Sequence, residues 1–253
     1  MDMEHFYQRF CKEGFDENGV LSFFEPLPAD NFNFAYDVVD EIARLEPDRR
    51  AMVWCNVPGE ERVFTFGEMK QYSDRCAQML ARRGVKKGDK VLLVLKRHYE
   101  FWFTVLALHK IGAVGVPATN LLTTKDILYR FEAAGITACV CSGECSITSY
   151  VDEACQKYQD IGAKWIVRGS REGWLSYDEE MSQCDGNWER IETSKDDPML
   201  LYFTSGTTGF PKMVVHNMAY PLGHIVTARY WHNVHADDLH LTVSESGWMK
   251  CVW

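Results

Sequence analysis

Lys90-Val-Leu-Leu-Val-Leu95, then a helical stretch over 99–111, then Ala113-Val-Gly-Val-Pro117: this is the part of the sequence that decides the fold. An apolar run without alternation is a strand buried on both faces. Two such runs joined by a helix of about this length form a parallel crossover unit. Working outward, Thr123-Thr-Lys-Asp126 caps a helix reaching Ala134, and strands are predicted at 136–142 and 164–167 with a helix around 149–159 between them. Another strand is predicted at 199–203 after a polar interval, 182–198, that reads as a surface loop. In the other direction, strands at 51–56 and 63–66 flank the turn Pro58-Gly59, and Thr65 with Glu68 makes a capping box. The helix it opens turns Met69, Tyr72, Cys76, Met79 and Leu80 inward and stops at Gly84, while Phe34, Val38, Ile42 and Leu45 share one face of an earlier helix. The fold class is α/β: layered, mostly parallel sheets flanked by helices.

Composition sets the outer limits. The 253 residues are 46% hydrophobic and 25% charged, which suits a globular core and excludes extended disorder, collagen and a small disulfide scaffold. Lys+Arg number 27 against 36 Asp+Glu, a net charge of −9. That balance gives no electrostatic footprint for nucleic acid or an anionic membrane, so an anionic ligand has to be held by local donors. The nine cysteines are scattered, and Met1-Asp-Met-Glu-His-Phe6 has neither the basic nor the apolar part of a secretory signal. Reduced thiols in a cytoplasm are expected. Lys96, Arg97, Glu100 and Lys110 interrupt the most apolar stretch, 91–117, so no bilayer span is expected.

The chemistry lies just beyond the strand at 199–203. Thr204, Ser205, Gly206, Thr207, Thr208, Gly209, Phe210, Pro211 and Lys212 follow one another there. Glycines let backbone N–H groups turn toward an anion, hydroxyls add donors, and a lysine supplies a compact positive charge. This is a polyphosphate cradle outside the carboxyl end of a strand, where open α/β sheets bind ligands. It is not a Walker A loop, because Pro211 precedes the lysine and Val214-Val215 continue as a strand. A hairpin-like flap over phosphates is predicted instead of a helix-terminus cradle.

Tyr202-Phe-Thr-Ser-Gly-Thr-Thr-Gly-Phe-Pro-Lys-Met-Val-Val-His216 resembles the phosphate-loop signature of the adenylate-forming (AMP-dependent synthetase/ligase) superfamily. Val63-Phe-Thr-Phe-Gly-Glu-Met69, Gly84-Val-Lys-Lys-Gly-Asp-Lys-Val91 and Lys110-Ile-Gly-Ala-Val-Gly-Val-Pro117 resemble other segments of the same superfamily. Leu239-His-Leu-Thr-Val-Ser-Glu-Ser-Gly-Trp248 and Ile127-Leu-Tyr-Arg-Phe131 are similar to its medium-chain acyl-CoA synthetase branch. The resemblance implies an acid–thiol ligase that joins a medium-chain, branched or aromatic carboxylic acid to CoA at the expense of ATP, with Mg²⁺. Thr204 to Lys212 would hold the β- and γ-phosphates, and Trp248 would stand beside the acyl pocket, although a tryptophan after a strand reads equally well as a core residue. It also implies a division into an N-terminal extension, 1–31, and an adenylation domain, 32–253, that lacks its carboxyl side and the mobile lid domain. The family's motifs for adenine, Mg²⁺ and ribose, and its catalytic lysine, lie beyond Lys250-Cys-Val-Trp253, so no catalytic residue is expected in this chain. Two other readings share the scaffold: an aryl or amino-acid adenylating enzyme without CoA chemistry, and a non-catalytic nucleotide-binding or interaction protein.

Other clusters take plainer explanations. Cys139, Cys141, Cys145 and Cys155 lack zinc-ribbon spacing and read as buried or inert thiols. His232, His235 and His240 with Asp237 and Asp238 read as a polar turn between a helix ending near Trp231 and a strand starting near Leu239, not as a metal site. Asn217 is expected to cap the helix that carries Pro221 in its first turn.

Overall fold

The computed structural model describes residues 2–204 and 209–252. After a 3₁₀ helix, Met3–Phe10, strands Cys11–Phe15 (β1) and Leu21–Pro26 (β2) form an antiparallel hairpin. A π-helical turn, Ala35–Asp40, leads into Glu41–Leu45 (α1). Arg50–Cys55 (β3) and Glu61–Thr65 (β4) make a second hairpin, and both halves of the Thr65–Glu68 capping box open Phe66–Arg82 (α2). Gly84, at φ 91°, follows its end in the left-handed conformation that glycine adopts without steric cost.

The main sheet then builds by alternation, with Lys90–Val94 (β5), Glu100–Ile111 (α3), Val114–Pro117 (β6), Thr124–Ala134 (α4), Ile136–Ser142 (β7), Ile147–Cys155 (α5), Ala163–Val167 (β8), Leu175–Ser176 (β9) and Tyr177–Ser182 (α6). Pro198–Thr204 (β10), Lys212–Asn217 (β11) and Tyr220–Val226 (α7) complete it. Among the described residues the sheet has seven strands in the order β11-β10-β6-β5-β7-β8-β9, parallel except for β11.

The uninterrupted apolar run that decided the fold class is buried from both sides. Val91, Leu93 and Leu95 pack under α2 and α3, whereas Leu92 and Val94 pack with residues of α4 and α5. Cys139 and Cys141, two residues apart on β7, lie on the same face in that second layer. All nine cysteines are free thiols. Helix α3 is enclosed so completely that even Lys110 is inaccessible, its ammonium held by Asp40 at 2.8 Å and Asp74 at 2.5 Å. No helix of the described residues is long and apolar enough to cross a membrane.

Three local expectations are corrected. The helix expected around 149–159 starts two residues earlier and stops at Cys155, giving way to a turn. Asn217 stays in β11, so Ala219 takes the N-cap position of α7 and Pro221 falls in the first turn. Finally, 239–245 contains no strand: its alternating apolar residues Leu239, Leu241 and Val243 face solvent, with no pairing neighbour among the described residues.

Candidate functional site

β10 reaches the carboxyl edge of the sheet beside β6, with Leu200 opposite Gly115, and β11 returns antiparallel with Thr204 opposite Lys212. The first and last residues of the hydroxyl- and glycine-rich segment therefore stand on the two arms of an antiparallel pair, as Val214 and Val215 in the sequence predict. Of its nine residues the structure describes Thr204, Gly209, Phe210, Pro211 and Lys212; Ser205, Gly206, Thr207 and Thr208 lie outside the described residues. Thr204 Oγ1 donates to the Lys212 carbonyl at 3.5 Å, tying the two stems together. Gly209 sits at φ 93°, where a side chain would be strained. Lys212 is exposed opposite Thr204.

The returning arm is held from a distance by α4. Phe210 is 60% exposed, yet its ring stacks on Tyr129 at 5.1 Å and 27°. The Tyr129 hydroxyl donates to the Pro211 carbonyl at 3.0 Å, and the same ring meets Phe203 edge-on. Next to it, the Arg130 guanidinium lies 4.9 Å over Phe203 and donates to the Asp126 carbonyl. Sequence reasoning did not assign these two residues a role. The adjacent aromatic and cation in Ile127-Leu-Tyr-Arg-Phe131 were the only signal.

Behind the hairpin, buried Tyr202 and half-buried His216 each keep an inaccessible polar atom, the phenol oxygen and Nε2, without a partner among the described residues. Burial raises the Tyr202 phenol pKa far above its ordinary value and lowers that of His216. His216 stacks against Tyr220 at 3.9 Å.

Trp248 belongs to the same edge. A Cβ on Gly247 would lie 2.3 Å from the Thr119 nitrogen and 2.4 Å from the Ala118 carbonyl carbon, so this segment rests directly on the backbone leaving β6. The Asn120 N–H donates to Glu245 Oε1 at 3.3 Å. β6 and β10 pair in parallel at Gly115 and Leu200, so Thr119 and Thr204 both lie on the carboxyl side of that pair. Trp248 is 63% exposed and is therefore not a core residue.

No group of three or more His, Cys, Asp or Glu that could hold a metal occurs among the described residues. In the polar turn, the His232 and His240 rings approach to 4.9 Å, while Asp237 pairs with Arg49 at 2.8 Å. The described groups suit an anion: the Thr204 hydroxyl, the left-handed Gly209 and Lys212 at the carboxyl edge of a parallel sheet.

Comparison with known proteins gives the family and the fold. The AMP-binding enzyme family matches residues 39–252. Acyl-coenzyme A synthetase ACSM4, mitochondrial, of Rattus norvegicus is 35% identical over 89% of this chain and 40% of its own length. Acyl-coenzyme A synthetase ACSM5, mitochondrial, of Homo sapiens is 34% identical over 92% and 42% respectively. The crystal structure of Brucella canis acyl-CoA synthetase matches with a TM-score of 0.80 at 21% identity, a likeness of fold, covering 89% of this chain and 41% of that one. The chain thus spans about two-fifths of the length of these relatives.

Proposed function

The chain belongs to the AMP-binding enzyme family, and on that premise we propose that it carries the ATP-phosphate portion of an acyl-CoA synthetase. In the ligation, a carboxylate oxygen attacks the α-phosphorus of ATP, the bond to the bridging oxygen breaks, and pyrophosphate leaves an acyl-adenylate behind. The CoA thiol, giving up its proton, then attacks the acyl carbon and releases AMP. Residues 204–212 hold the β- and γ-phosphates, on which charge builds during the first step, so donors fixed there favour the transition state. Lys212 supplies the positive charge, Thr204 the hydroxyl at the base of the loop, and Gly209 the backbone turn. The donor set fits the phosphates, and Mg²⁺ carried by ATP would neutralise part of the phosphate charge. Trp248 borders the site of the acid, whose class is medium-chain, branched or aromatic. No catalytic residue is assigned within this chain.

One observation carries this reading: the pairing of Thr204 with Lys212, the two ends of the hydroxyl- and glycine-rich segment, at the carboxyl edge of the parallel sheet. Calorimetric titration of the chain with Mg-ATP tests it directly. Binding is expected, and Lys212→Ala should weaken it. In an enzyme completed with the remaining motifs, Lys212→Ala should lower ATP–pyrophosphate exchange by about one to three decades. An unchanged exchange rate removes Lys212 from the phosphate site.

A further inference from the structure

The amino-terminal residues reach across the molecule to a turn near its other end. Asp2 caps the Met3–Phe10 helix by accepting from the Glu4 N–H at 3.0 Å, which fixes the start of that helix. The Glu4 carboxylate then meets three groups of segment 229–236, where the π-helix Thr227–Trp231 passes into a turn: Arg229 Nη1 at 2.5 Å, His235 Nδ1 at 2.8 Å and the Ala236 N–H at 2.9 Å. Glu13 on β1 accepts from Tyr7 and Gln8 within its own segment and from the Tyr230 hydroxyl in the turn. Phe15 meets the Tyr230 ring edge-on at 6.0 Å, and the Arg229 guanidinium lies 5.8 Å over Tyr7. From the opposite side Arg49 holds the turn through Asp237 and the Ala236 carbonyl.

The chain beyond this turn has little else to place it. Residues 239–245 form neither helix nor strand and expose Leu239, Leu241 and Val243. The next firm seat is Gly247 on Ala118 and Thr119. The strip that ends at Trp248 is thus strung between two fixed points, one of them made largely by the amino-terminal segment.

We propose that residues 2–15 are a clamp on the 229–238 turn, and that Glu4, acting through this turn, is a positioning residue for the 239–248 strip. The importance of that strip for acid binding rests on the function proposed above; the clamp itself does not. A carboxylate with a backbone N–H and two cation-capable side chains around it stays ionised across the working range. The Ala236 N–H and His235 hold Glu4 down to about 2, with Arg229 adding to the effect against the opposing desolvation.

Amide hydrogen exchange on the full chain, measured without nucleotide, tests the proposal. Glu4→Ala should speed exchange across 229–248 by about tenfold, including the Trp248 amide that donates to the Glu245 carbonyl at 3.0 Å. Peptides of β5, β7 and β8 should exchange as in the unmodified chain. Glu4→Gln, which can still accept from the Ala236 N–H, should give a smaller rise, and Glu13→Gln should loosen the same turn through Tyr230. Unchanged exchange at 229–238 in Glu4→Ala overturns the clamp. A rise confined to 229–238, with Trp248 unmoved, overturns the positioning role. A rise shared with β5, β7 and β8 marks general destabilisation and also overturns the proposal. Because no nucleotide takes part, failure of Mg-ATP to bind would count against the ligase reading alone.

Discussion

At Gly247 there is room for a hydrogen and for little else. The neighbours of a hypothetical Cβ are the backbone atoms of Ala118 and Thr119, which cannot swing aside as the end of a side chain would. Gly247→Ala should therefore lift the 245–248 segment from the edge of the sheet and cost about 1–3 kcal/mol, the usual range for overpacking. Urea unfolding would give the size of the loss, and exchange at Asn120, whose N–H is bonded to Glu245, would localise it. A glycine next to tryptophan in Ser-Gly-Trp does not announce this in the sequence, because the atoms that crowd it come from the backbone after β6. Trp248 itself could be read two ways, as core or as border of a pocket, and its exposure now removes the first.

Among the elements, α4 carries most of what was not foreseen. Its cap and length were legible: Thr123 and Asp126 close the box, and the helix ends at Ala134 before the left-handed Gly135. Its use as a brace for the phosphate hairpin was not, since Tyr129 and Pro211 are 82 positions apart and helical period carries no information about such a contact. Tyr129→Phe keeps the stack on Phe210 and loses the hydrogen bond to Pro211, a change of about 0.5–1.5 kcal/mol. Tyr129→Ala loses both and should weaken Mg-ATP binding by about tenfold, measured by the same calorimetric titration. An affinity in Tyr129→Ala equal to that of the unmodified chain would mean that the brace does not shape the site. The parallel strands, by contrast, were readable because burial on both faces leaves an apolar run with no alternation. The 239–245 stretch shows the limit of that reading: alternation gives strand character, but a strand also needs a neighbour with which to bond.

At the scale of the whole molecule, two interior histidines couple stability to pH. His98, buried and 2.9 Å from the Ser142 hydroxyl, is pushed from 6.5 down to about 4, first by desolvation and then by Arg168. Desolvation alone carries the fully buried His109 down to about 3. Below pH 6.5 the unfolded chain takes up protons that the folded chain refuses. Stability from these residues is thus complete above pH 6.5 and drains as the pH falls toward 4. Replacing one of them isolates the effect from Asp40 and Glu100, whose carboxyl pKa values burial raises. His98→Gln should flatten the fall of the urea midpoint between pH 6.5 and about 4; a profile parallel to that of the unmodified chain would contradict the assignment. The order of the parallel strands and their helical cover follow from the local pattern, whereas the clamp does not. It joins residues 231 positions apart, Glu4 and His235, that share no periodic signal. That separation also sets a timetable. His235 is made 231 residues after Glu4, so Glu4 waits roughly 10–50 s at ordinary elongation rates while the strands between them are synthesised. The contact can therefore close only after every strand of the main sheet has been made, so the clamp is set on a sheet whose strands are already present.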